Sequence, residues 1–135
     1  MKKIYLTTLF LLLIFGVISC GGDKITGEVV KAELTKNFIK NGETISLMVD
    51  GKNTGNKESN VLLNIIPEDS NLLRVSYPGS LEDTLQPGEQ IGVKIIKVQG
   101  FTQHSQTRLW IKTQLINKDN QEILDEDIQW LTIEL

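Results

Sequence analysis

Cysteine and histidine each occur once in the 135 residues, as Cys20 and His104. A single cysteine excludes an intrachain disulfide, so a folded domain here depends on core burial alone. The same scarcity excludes the usual cysteine and histidine ligand sets of transition metals, and no cofactor is implied. No Gly-x-Ser-x-Gly elbow is present, and His104 lacks the paired nucleophile and orienting acid that hydrolysis needs. Aromatic residues make up only 6% of the chain, which leaves few rings to stack against sugars. Basic residues are outnumbered 14 to 17 by acidic ones and form no stripe, which argues against a nucleic-acid partner. Helical spacing of apolar residues, internal repeats, low-complexity tracts and interdomain linkers are also missing, which leaves one domain rich in strands.

What the chain does have begins at its N-terminus. Lys2 and Lys3 precede an apolar run, and Gly16-Val17-Ile18-Ser19-Cys20-Gly21 follows it. A basic start, an apolar middle and small residues before a cut describe a secretory signal. A retained membrane helix fits poorly, because residues 4–18 would span about 22 Å where the hydrocarbon core measures about 30 Å. Val17-Ile18-Ser19-Cys20 resembles the lipobox of prokaryotic lipoproteins. That resemblance implies diacylglyceryl transfer to the thiol and cleavage before Cys20. It also implies a cell-envelope protein on the extracytoplasmic side of a membrane, attached by the acyl chains on Cys20. The expected organisation is a signal peptide over residues 1–19, a lipidated cysteine with a short tether over 20–27, and a domain over 28–135.

The remainder reads as short β-type runs separated by turn chemistry. The expected strands cover residues 29–34, 45–49, 61–66, 72–77, 91–98, 107–117 and 122–135. Ile45, Leu47 and Val49 alternate with polar or flexible neighbours, as do Ile91, Val93 and Ile95, so all six are expected to be buried. Asn41-Gly42, Asn53-Thr54-Gly55-Asn56, Gln86-Pro87-Gly88-Glu89 and Asn117-Lys118-Asp119-Asn120 supply turns. Seven strands with turns at this spacing predict an all-β, antiparallel, immunoglobulin-like sandwich.

Two of those turns carry a further resemblance. A strand, Asn53-Thr54-Gly55, an apolar strand, then Leu85-Gln86-Pro87-Gly88-Glu89 before another strand is similar to CARDB-like immunoglobulin-type domains of bacterial and archaeal surface proteins. Lys40-Asn41-Gly42-Glu43 stands where that family usually has Pro-Gly-Glu, without the proline. The resemblance implies a sandwich and a non-catalytic role in adhesion, protein binding or scaffolding, with a protein of the cell envelope as partner. The alternative is an extracytoplasmic domain that binds calcium or a small ligand, or an accessory subunit of an envelope enzyme or transporter.

Several side chains remain to be placed. Asp125-Glu126-Asp127, with Asp119 and Glu122, offers carboxylates for calcium but lacks the spacing of a calcium loop. A charged edge strand explains that cluster equally well. Glu68-Asp69 and Glu82-Asp83 fall at turns and read as solvated. Trp110 has the opposite parity to Leu109 and Ile111, so it should face outward, beside Trp130 on a neighbouring strand. These two tryptophans are the candidate binding surface; the competing expectation packs one of them in the core.

Overall fold

Alternation is the organising signal, and β3 (Thr44–Asn53) follows it except at Asp50, which is also buried. Its odd-numbered residues Ile45, Leu47 and Val49 are buried, at 5%, 0% and 0% exposure. The computed structural model describes residues 22–135, so the signal segment and Cys20 lie outside the described residues. The other strands are β1 (Gly27–Leu34), β2 (Phe38–Lys40), β4 (Ser59–Pro67), β5 (Leu73–Ser76), β6 (Glu82–Leu85), β7 (Lys94–Gly100), β8 (Gln106–Asn117) and β9 (Glu122–Glu134).

They form two sheets, β1-β3-β7-β5 and β2-β9-β8-β4-β6. All pairings are antiparallel except β2 with β9. Leu47, Val49, Ile96 and Val98 from the first sheet face Val61, Leu63, Ile111, Leu115, Leu131 and Ile133 from the second across one core. The expected all-β sandwich is therefore present. All seven expected strands occur, and β2 and β6 are added to them. Both additions are short sheet edges whose side chains are mostly exposed, with Ile39 and Leu85 as the only buried members. Their local pattern is too brief to mark a strand.

The strand expected over residues 91–98 requires a correction. Val93 and Ile95 are 52% and 54% exposed, while Ile96 and Val98 are at 0%. Gly92 explains the change of phase. It sits at φ +94°, a conformation that L side chains resist, and its N–H donates to Asp50 Oδ1 at 2.9 Å. The Ile91 N–H donates to Gly51 O at 2.9 Å, so the chain touches β3 there, kinks at Gly92 and restarts as β7 at Lys94. The buried set is thereby shifted by one residue. Accordingly, Ile96→Ala should cost about 2–5 kcal/mol, as should Leu47→Ala. Ile95→Ala should stay within about 0.5 kcal/mol of wild type. Urea unfolding of the three variants checks this, and equal losses at positions 95 and 96 would refute the assigned phase.

Candidate functional site

β8 sends Leu109 and Ile111 into the core, which turns Trp110 to the outer face of the five-stranded sheet. β9 does the same for Trp130 by burying Leu131. The two tryptophans are direct cross-strand partners. The Trp110 N–H donates to Glu68 Oε1 at 3.0 Å, and its carbonyl accepts from Glu68 N at 3.0 Å. Both backbone groups thus point away from β9, so the tryptophans form a non-hydrogen-bonded pair, the closer of the two antiparallel types. Trp130 is 45% exposed and Trp110 half-buried, so neither packs in the core.

Cations extend this pair into a ladder. The Arg108 guanidinium carbon lies 4.3 Å from the Trp130 ring centre, and Lys112 Nζ lies 5.1 Å from that of Trp110. Among the described residues neither cation joins an ion pair. Phe38 and Ile128, each more than two-fifths exposed, border the same face through their pairing with Thr132 and Lys112. A groove of about 590 Å³ runs beside Trp130, under Leu34 and Asn37. The face combines flat apolar area with two positive charges, which suits a partner bearing apolar and anionic groups.

The acidic cluster has a structural task. β2 covers β9 only at Thr132, Ile133 and Glu134, which leaves the earlier part of that edge open. There Asp125 Oδ1 accepts from Glu126 N and Asp127 Oδ1 from Ile128 N, each at 2.9 Å. Asp125 Oδ2 reaches across to Val29 N of the other sheet at 2.8 Å. Side-chain caps of this kind occupy N–H groups that would otherwise invite another strand. Glu126 accepts from Gln114, Asp119 from Asn60 and Glu122 from Asn120, so the carboxylates diverge. Among the described residues no group of three or more His, Cys, Asp or Glu is placed to hold a metal ion.

The remaining candidates are also absorbed locally. Asp69 caps Asn71 N at 2.8 Å, Glu82 pairs with Lys118 at 2.5 Å, and Asp83 caps Thr84 N at 2.8 Å. His104 is exposed, and its backbone N–H donates to Thr102 Oγ1 at 3.1 Å. Glu43 is held below the usual carboxylate range by the Lys36 ammonium and the Lys40 N–H, both of which donate to it. It closes the Lys40–Glu43 turn, whose Gly42 has φ +83°. The Gln86–Glu89 turn has the same form, with Gly88 also at +83°. In the first turn Asn41 keeps a negative φ, so the turn is type II in spite of the missing proline.

Sequence reasoning missed Asn53, which is fully buried. Its Nδ2 donates to Lys57 O at 2.8 Å and Leu85 O at 2.9 Å, and its Oδ1 accepts from Gly55 N at 2.9 Å. Its backbone accepts from Gly88 N and donates to Glu89 O. The Asn-Thr-Gly and Pro-Gly-Glu turns therefore meet at one residue. A buried strand-end asparagine next to Thr-Gly was the available signal, though sequence alone does not name its partners.

No protein-family model matches this chain, and no curated protein sequence matches it. Solved structures do. The FixG-related protein of Vibrio parahaemolyticus superposes with a TM-score of 0.56 at 14% identity, over 81% of this chain and 97% of that one. The CARDB domain of a Pyrococcus furiosus protein, solved in complex with di-metal ions, gives 0.55 at 12% identity, over 84% and 94%. Native alpha-2-macroglobulin of Escherichia coli gives 0.59 at 17% identity, over 82% of this chain but 17% of that much longer one. At these identities the likeness shows the fold alone: a CARDB-like, immunoglobulin-type β-sandwich.

Proposed function

We propose that this chain is a prokaryotic lipoprotein, tethered by acyl chains on Cys20 to the extracytoplasmic side of a membrane, that acts as a non-catalytic binding module for an envelope protein. The observation that carries the binding half is the Arg108–Trp130–Trp110–Lys112 ladder. Tryptophan and arginine, which supply three of these four side chains, are among the residue types that dominate binding energy at protein interfaces. The likeness in fold to the CARDB domain and to part of alpha-2-macroglobulin supports a non-catalytic module. The lipid half rests on the Val17–Cys20 pattern.

The test is chemical crosslinking in native membranes followed by capture through this protein. Trp110→Ser with Trp130→Ser should abolish capture of the crosslinked partner. The same double change should cost only about 1–3 kcal/mol of stability, from one cross-strand aromatic pair and two cation–π contacts. A loss near 6 kcal/mol or more would mean that the rings act as core. Undiminished capture would remove this face from the binding role.

A further inference from the structure

We infer that the sandwich stands on the membrane on one defined end, formed by the Thr54–Glu58 and Gln86–Glu89 turns, with the tryptophan ladder raised above the lipid on the flank of the domain. The inference rests on the lipid attachment at Cys20 proposed above and deepens it. The segment leading into β1 is not a loose tether. Lys24 N donates to Asn56 Oδ1 at 2.8 Å, and Asn56 N donates to Lys24 O at 3.2 Å. Thr54 N donates to Thr26 O at 3.1 Å, and the Thr26 and Thr54 hydroxyls lie 2.9 Å apart. Lys24 also passes directly over Gly55, where an added Cβ would lie 2.2 Å from its carbonyl oxygen.

With Asn56 Nδ2 also donating to Gly22 O at 3.4 Å, these contacts hold the N-terminal segment from Gly22 onward. Cys20 lies two residues upstream of Gly22, a reach of at most about 7 Å when fully extended. The acyl chains must sit in the bilayer, so the end bearing Asn56 is held within that distance of the headgroups. β8 ends and β9 begins at this end, and Trp110 is seven residues from Asn117, about 23 Å along the strand. The partners of the ladder are therefore met on the flank of the domain, clear of the headgroups. Charge does not set this orientation. Lys24 and Lys57 at the proposed foot are offset by Asp23, Glu58 and Glu89, and Lys57 lies 4.0 Å from Asp23. The tether imposes it, so the orientation should not depend on anionic lipid.

The test uses the mature lipid-bearing protein in phosphatidylcholine vesicles that contain a headgroup spin label. Single cysteines at the exposed positions Lys57, Glu89, Asn71 and Gln103 carry an environment-sensitive fluorophore. The two near the foot should be quenched at least twofold more than the two at the opposite end. Insertion of about twelve Gly and Ser residues between Asp23 and Lys24 should erase the contrast. Equal quenching at all four sites, or stronger quenching at Asn71 and Gln103, overturns the orientation while leaving the anchor intact. Protein that fails to float with the vesicles overturns the anchor, and the orientation with it.

Discussion

Replacing Asn53 by alanine should lower the unfolding free energy by about 3–5 kcal/mol, a severe loss for a change that removes no apolar core. The side chain is fully buried and makes three hydrogen bonds, to Lys57 O, Leu85 O and Gly55 N. Alanine satisfies none of them. Each buried polar group left without a partner costs about 1–3 kcal/mol, and water can reach only the outer members of this set. Asn53→Asp should be no milder, since it would aim a carboxylate oxygen at the Lys57 and Leu85 carbonyls. Urea unfolding with an unchanged m-value is the measurement. A loss below about 1 kcal/mol would show that the two turns hold together without this asparagine.

Asn53 also marks where a sequence stops being legible. Alternation disclosed β3, whose odd-numbered face is buried throughout, and the Asn117–Asn120 turn disclosed the long β8–β9 hairpin. The outward parity of Trp110 followed from the same rule. Its neighbour Trp130 followed from the short hairpin, since Asn117 and Glu122 pair at its base. Where a backbone feature broke the period, the reading failed. Gly92 resets the phase of β7, so Val93 and Ile95 carry the hydrophobic signal of a buried strand while standing in solvent. β2 is defined by a parallel pairing with the far end of β9, a relation between residues about ninety apart that no local window contains. The acidic run at 125–127 was legible as a managed edge by charge alone. That its carboxylates cap the neighbouring N–H groups is a matter of backbone geometry.

The second large effect concerns location instead of stability. Cys20→Ala should abolish acylation and leave a precursor that retains residues 1–19 or is released without lipid. Only a thiolate can take the diacylglyceryl group as a thioether, and under the proposed lipoprotein reading that step is coupled to cleavage before Cys20. Two or three acyl chains anchor far more firmly than one myristoyl chain, at about 0.8 kcal/mol per buried methylene. Their loss should move the processed domain from the membrane fraction to the soluble one. The melting temperature of the sandwich should stay where it was, because among the described residues the N-terminal segment makes its contacts from Gly22 onward, downstream of Cys20. Asn53→Ala should behave in the opposite sense, remaining lipid-bearing while unfolding at lower denaturant. Mass spectrometry of the mature N-terminus decides the matter. Wild type should begin at Cys20 with the added mass of the acyl groups, and a chain that starts elsewhere, or an unmodified Cys20, would end the lipoprotein reading.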